Sequence, residues 1–335
     1  MFKYQNGSFQ KMATFLKADA IKTLEGKSVL FLGDSILRNI YQDLVTLLHT
    51  GSLTNHDILS KKGEQITSYL GDTLMNNTGK LVAGRDYREE RRMLMEKNKI
   101  RVRYWFLTRC WSNSLQEYLD RVREEGGGSP DLVIVLSCIW DINRWGSGGI
   151  DKYKTNCQSL LDYFEPFKKT QVLRIFIFLT LSHCSLKVIW LTCPPISVDV
   201  WGGFMVEGVV NAGIRFNIME GNTMVANTVA SMGQDVVDLH YWMLHMVYLR
   251  KADGLHWTQD AVRLQTNIIL THICTSRDIP LPVSDQEDNE LKKQAERLAV
   301  IKTSDKHDDT DTDSDEEVNN VKIHLSEATK SIWNI

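Results

Sequence analysis

Residues 28–48 read SVLFLGDSILRNIYQDLVTLL. Five residues with apolar and β-branched content run into Gly33-Asp34-Ser35, and from there Ile36, Ile40, Leu44, Val45 and Leu48 recur at the spacing of one helical face. A strand that turns directly into a helix is the unit of an open parallel sheet, whose ligands bind beyond the carboxyl ends of its strands. The turn therefore places Ser35 at a strand's carboxyl end and a helix's amino end, where backbone N–H groups can stabilise a developing oxyanion. Taken alone, Gly-Asp-Ser also fits a simple N-cap, a role that Asp and Ser fill routinely.

Apolar runs of the same kind recur at 102–107 (VRYWFL), 132–136 (LVIVL), 188–192 (VIWLT) and 236–239 (VVDL), with helix-like segments between most of them. Residues 113–125 carry a helical pattern that stops at Gly126-Gly127-Gly128 before Ser129-Pro130. The alternation predicts a three-layer α/β/α sandwich on a mainly parallel sheet.

The whole chain has 335 residues and a formal charge of −3. Residues 304–317 hold eight carboxylates against Lys306, so the rest is mildly basic, without the stripe of cations that tracks nucleic-acid phosphates. Residues 283–335 read as an acidic, mostly disordered tail, because little apolar surface is available there to offset chain entropy. The most apolar stretch, residues 175–181, falls far short of the roughly 20 residues that a membrane-spanning helix needs. Cys110, Cys138, Cys157, Cys184, Cys193 and Cys274 show no C-x-x-C pairing, and residues 1–23, an N-terminal extension, lack a signal-peptide apolar core. A cytoplasmic or nuclear location is the expectation.

Near the other end, Asp253-Gly254-Leu255-His256 precedes a helix-like run over 258–274. Three residues apart in a loop, the carboxylate can accept from one imidazole nitrogen while the other faces a serine hydroxyl. Alone, the pair also fits an Asp-Gly turn before a capped helix. Combined with Ser35 in the order serine, aspartate, histidine, it predicts a nucleophile, an orienting acid and a base. Asp238, His240 and His245 cluster in sequence, but their spacing suits neither a helical metal site nor a zinc finger, so no metal is expected. Gly79-Lys80 lacks the surrounding pattern of a phosphate-binding loop, and no organic cofactor is expected. The run Tyr241, Trp242, Met243, Leu244 and Met246 reads as core.

Taken together, GDSILRNIYQDLV (33–45), YREERR (87–92), PDLVIVLSCIWDINRW (130–145), EGN (220–222), DVVDLH (235–240) and DGLHW (253–257) resemble the motifs of the PC-esterase domain-containing proteins, a branch of the GDSL/SGNH acyl-esterase superfamily. The resemblance covers roughly residues 24–282. It implies a flavodoxin-like sheet, with Ser35, His256 and Asp253 as the catalytic set, and an O-acyl ester, often an O-acetyl ester of a small molecule, lipid, glycan or protein, as substrate. An acyltransferase using the same residues and a catalytically weak binding module are its alternatives. SGNH hydrolases generally place an asparagine after the third strand to donate to the oxyanion, whereas Trp140 stands there in this chain. Loss of one such donor typically costs about 2.7–4 kcal/mol of transition-state stabilisation. Arg38, one helical turn beyond Ser35, is the expected substitute, with Asn143, Arg144 and Arg109 as further oxyanion or substrate contacts. Asp141 is expected to brace its loop. Residues 172–187 look like an insertion that forms an edge strand or an apolar loop.

Overall fold

The computed structural model describes residues 13–60, 68, 70–80, 84–125, 129–145, 148–177, 186–200 and 213–282. The chain divides into two units, Met1–Pro282 and Val283–Ile335, and every described residue belongs to the first. The tail reading thus falls outside the described residues.

Among the described residues a seven-stranded sheet runs in the order β2-β3-β4-β1-β5-β6-β7. Its strands are β1 (Ser28–Gly33), β2 (Asp72–Thr78), β3 (Arg88–Met95), β4 (Ile100–Phe106), β5 (Leu132–Leu136), β6 (Lys187–Leu191) and β7 (Asp235–Val237). From β4 through β7 all neighbours are parallel, while β2 and β3 add an antiparallel edge. Gly33 at the end of β1 is level with Phe106 of β4 and Leu136 of β5. The segments leaving these three central strands therefore start side by side, about 5 Å apart from strand to strand.

Period-two alternation assigns the two faces of β1. Val29 and Phe31 share a crevice with Leu24, Ile40, Leu44, Ile269 and Ile273, whereas Leu30 shares one with Leu119, Val122, Tyr163 and Phe164. One layer is thus α1 (Lys17–Leu24), α2 (Ser35–His49) and α9 (Gln259–Ser276). The other contains α4 (Asn113–Glu124), α5 (Ile139–Arg144), α6 (Gly149–Ile177) and α7 (Ile214–Ser231). The short helices α3 (His56–Ser60) and α8 (Leu239–Leu244) lie in connections. The α/β/α architecture and the five parallel strands read from the sequence are present.

Other expectations need correction. The antiparallel pair β2–β3 was not anticipated, because residues 88–92 carry no apolar strand pattern; Glu89, Glu90 and Arg91 are nevertheless buried. Helix α1, placed in an N-terminal extension, packs on α2 and α9 and, with Phe15 just before it, contributes Ala20 and Leu24 to the core. Within the segment read as an insertion, residues 172–177 continue α6 rather than forming a strand or loop, Lys187 begins β6, and residues 178–185 lie outside the described set. Of the aromatic run after β7, only Met243 is buried deeply; Tyr241, Trp242 and Leu244 are exposed because α8 is a single short helix with one inward face.

Candidate active site

The turn after β1 is built for close approach. A β-carbon on Gly33 would stand 2.5 Å from a Leu37 methyl and 2.7 Å from the Leu136 carbonyl oxygen, so only glycine lets α2 start this near β5. Asp34 caps α2, its carboxylate accepting from the Ile36 N–H at 2.9 Å. Burial is the main reason its carboxyl is pushed up to about 6, against the pull of the Ile36 amide and His256. The buried Tyr104 hydroxyl donates to the carbonyls of Gly33 (3.1 Å) and Asp34 (3.0 Å), fixing the turn from behind. Ser35 is the first residue of α2, so its N–H has no acceptor within the helix.

Asp253 and His256 come from one loop between β7 and α9. Asp253 receives the Leu255 and His256 amides on one oxygen, both at 2.9 Å, and His256 Nδ1 on the other at 2.7 Å. Gly254 closes this turn at φ +76°, where a β-carbon would also strike the Asp199 carbonyl oxygen at 2.5 Å. Partial burial alone would raise the Asp253 carboxyl, but the hydrogen bond and charge of His256 and the two amides outweigh it and hold the group well below its ordinary range. His256 Nε2 lies 2.8 Å from Ser35 Oγ. Ser35, His256 and Asp253 are therefore brought together in one hydrogen-bonded line.

What aligns the two ends is Asp43, a residue the sequence reading passed over. Buried in α2, it accepts from Arg263 of α9 at 2.8 and 3.1 Å, from Thr266 at 2.8 Å and from Thr54 at 3.1 Å. The serine helix is thereby tied to the helix that follows the histidine. Its sequence signal is a lone aspartate on the apolar side of an amphipathic helix.

The remaining candidates separate. Arg38 faces inward and pairs with the fully buried Glu89 at 3.0 Å, so the charge expected at the oxyanion is already neutralised by a carboxylate. Glu89 also meets Arg91 at 2.5 Å and Tyr87 at 2.9 Å, which ties α2 to the antiparallel edge. Trp140 packs between two neighbours: Phe106 meets its ring edge-on at 5.3 Å and Arg144 lies 4.2 Å from its centre. Asn143 is buried in α5. Arg109 stacks against Trp145 at 4.5 Å. Asp141 braces its loop, accepting from Cys110 N, Ser137 Oγ and Asn156 Nδ2. Asn222 likewise braces, bonding both backbone groups of Cys193 just past β6. Asp238 caps α8, His240 Nδ1 meets the Cys193 carbonyl and His245 packs edge-on to Tyr241, so each of the three members of the sequence cluster has a structural partner.

No protein-family model matches the chain. Curated relatives do: the human PC-esterase domain-containing protein 1A is 34% identical over 81% of this chain and 57% of its own length, and the human 1B protein is 31% identical over 80% and 59%. The chain belongs to the PC-esterase domain-containing protein family. It spans somewhat more than half the length of these PC-esterase relatives. Among solved structures, a GDSL-like lipase from Bacteroides thetaiotaomicron aligns over 79% of this chain and 92% of that one at 15% identity and TM-score 0.41. A lipase/acylhydrolase from Enterococcus faecalis aligns over 73% and 95% at 16% identity and TM-score 0.39. No helix among the described residues is long and apolar enough to cross a membrane.

Proposed function

We propose that this PC-esterase domain is a serine esterase that cleaves an O-acyl ester through an acyl-Ser35 intermediate. The observation that carries the reading is the continuous contact from Ser35 Oγ to His256 Nε2 (2.8 Å) and from His256 Nδ1 to Asp253 (2.7 Å). With its carboxyl held ionised, Asp253 keeps the proton of the neutral imidazole on Nδ1 and leaves the Nε2 lone pair facing the serine hydroxyl. Ser35 Oγ attacks the ester carbonyl as its proton passes to Nε2. That proton then goes to the departing alkoxide, releasing the alcohol. Water, deprotonated by the same nitrogen, attacks the acyl-serine and regenerates the hydroxyl; an acceptor alcohol in place of water makes the reaction an acyl transfer. The Ser35 N–H, at the positive end of α2, is the oxyanion donor that this geometry favours.

The test is covalent labelling of the full chain with a fluorophosphonate, read by intact mass, alongside hydrolysis of phenyl acetate. One adduct on the wild type, none on Ser35→Ala and strongly reduced labelling of His256→Ala are expected. Asp253→Asn, which favours the wrong tautomer, is expected to lose about 10⁴ in turnover while remaining folded. A folded wild-type protein that takes no label overturns the esterase reading and favours a binding module on the same scaffold.

A further inference from the structure

Exposed apolar surface is unevenly spread over the described residues. Of thirteen exposed large apolar side chains, five (Tyr241, Trp242, Leu244, Val247 and Tyr248) fall within eight consecutive residues. Single exposed apolar residues are ordinary, but a contiguous aromatic run marks a surface that meets something other than water. Helix α8 turns Leu239 and Met243 into the core, which leaves Tyr241, Trp242, Leu244 and His245 outward. Tyr241 meets Trp242 edge-on at 6.1 Å and His245 at 5.7 Å, so the three rings form one surface. Tyr248 lies in the 3₁₀ turn that follows (Val247–Leu249), its hydroxyl donating to the Met246 sulfur at 3.4 Å.

This surface is fixed to the loop that carries Asp253 and His256. The Lys251 N–H donates to the His256 carbonyl at 2.8 Å and the Thr258 N–H to the Leu249 carbonyl at 2.9 Å, so the chain just after Tyr248 is paired with the chain at His256. Because α8 starts two residues past the end of β7, the surface stands on the carboxyl-end rim of the sheet, where His256 meets Ser35. Its charge is one-sided. From Leu239 to Ala252 the chain holds Arg250, Lys251, two histidines and no carboxylate. Arg215, exposed on α7, adds a third cation: burial first and Arg215 second weaken the hold of Arg250 on its proton. Among the described residues none of the three forms an ion pair; Arg250 Nη1 donates to the Pro195 carbonyl at 3.2 Å and Lys251 Nζ to Ser60 Oγ at 3.1 Å. Asp253 acts on Arg250 and Lys251 through its charge, but its hydrogen bonds go to His256 and the two amides of its own turn. Asp238, at the other border, accepts from the Thr192 hydroxyl and the Tyr241 amide.

Rings with an apolar body and a polar tip, bordered by cations, have the composition of a membrane–water interface. An anionic bilayer offers apolar depth to the rings and negative charge to the cations at once, and a short helix lying in its plane needs only one such face. We propose that the surface from Tyr241 to Tyr248, flanked by Arg215, Arg250 and Lys251, docks this rim of the domain onto an anionic phospholipid surface. The docking is peripheral: Leu239 and Met243 stay in the core while the outward rings enter the headgroup layer. It needs neither Ser35 nor His256 and so stands apart from the esterase reading.

The test is sedimentation of the full chain with vesicles of phosphatidylcholine alone and of phosphatidylcholine with phosphatidylserine. Partitioning at least about tenfold stronger into the anionic vesicles is expected, and it should fall steeply at high salt. Trp242→Ser combined with Tyr248→Ser is expected to remove most of the binding, Trp242→Phe with Tyr248→Phe to keep it, and Arg215→Gln to weaken it about fivefold. Tyr248→Ser alone, at a side chain 74% exposed, keeps the test on a folded protein if the double variant unfolds. In vesicles with brominated acyl chains, tryptophan emission of the bound wild type should be quenched, and much less so in bound Trp242→Phe, although the chain has nine tryptophans. Absence of binding, equal binding to neutral and anionic vesicles, binding unchanged by the serine variants, or equal quenching in Trp242→Phe each overturns the proposal. Self-association that the serine variants abolish, without vesicle binding, also overturns it and assigns the surface to a second copy of this chain. Ser35→Ala is expected to bind vesicles as the wild type does, so a protein that docks but takes no fluorophosphonate label loses the esterase reading alone.

Discussion

Arginines flank β1 on both sides, and they are held in opposite ways. Toward the antiparallel edge, Arg38 and Arg91 converge on Glu89, with Asp72 a further 3.5 Å contact to Arg91, and all these side chains are buried or nearly so. Toward β5, Arg109 lies over the Trp145 ring and Arg144 over the Trp140 ring, and Arg144 also donates to the Gly84 carbonyl. A buried pair that loses one partner leaves an uncompensated charge, so the first set is committed to the fold. In the second set an indole face lies against each guanidinium, a contact that stabilises the charge through the ring quadrupole. From the sequence Arg38 was the expected oxyanion substitute and Arg109 and Arg144 were further oxyanion or substrate contacts; their partners now separate them.

The sharpest way to break this contrast is Glu89→Ala. With Arg38 and Arg91 both left facing a cavity, urea denaturation should show a loss of about 3–5 kcal/mol. A loss below about 1 kcal/mol, the range of an exposed ion pair, would mean that the edge arginines find other partners and that the contrast fails.

Acid should affect the two flanks with opposite sign. Burial would raise Glu89, but Arg38, Arg91 and the hydrogen bonds from Arg91 and Tyr87 bring it below 4.5, so its contribution is present above that pH and is lost as pH falls through the folded value. Asp141, on the rim side, is raised by burial from 3.8 to about 6. The folded state holds that proton more tightly than the unfolded chain does, so this contribution is complete below pH 4 and disappears as pH rises to about 6. The shift corresponds to roughly 2–3 kcal/mol, and stability measured from pH 4 to 7 should lose that much of its downward slope in Asp141→Asn. An unchanged slope would show that Asp141 does not titrate there.

The smallest effect is expected at the boundary between the flanks. Tyr104→Phe removes the donor to the Gly33 and Asp34 carbonyls and should cost about 1 kcal/mol in thermal unfolding. It should also slow fluorophosphonate labelling of Ser35 relative to the wild type, a change that a purely structural hydrogen bond remote from the turn would not produce. Equal labelling rates would remove Tyr104 from the positioning of the serine.

Much of this was legible in the chain. LVIVL coincides with β5, SVLFL with β1 apart from its last residue, and the D-x-x-H spacing picked out the two residues now seen in contact, Asp253 and His256. These are local signals, set by periodicity and by turn chemistry over a few residues. The edge pair β2–β3 was invisible because its buried side chains are charged: Glu89 and Arg91 satisfy each other, and no hydropathy pattern marks a strand whose interior is ionic. Asp43 was equally hidden, since its meaning comes from Arg263, 220 residues away. Trp140 was correctly singled out as anomalous, but its role as packing between Phe106 and Arg144 depends on tertiary neighbours.

Asp253 and His256 share one tetrapeptide, whereas the serine that His256 faces lies 221 residues earlier. On a ribosome adding roughly 5–20 residues per second, Ser35 is made about ten to forty seconds before His256, and α9, which locks the arrangement through Arg263, comes last. Throughout that interval Ser35 lacks the imidazole contact on which the proposed mechanism depends. A message that ends early, or a nascent chain that stalls, yields a protein with the serine but without its base. On the proposed mechanism, completion of the domain is thus a condition of reactivity.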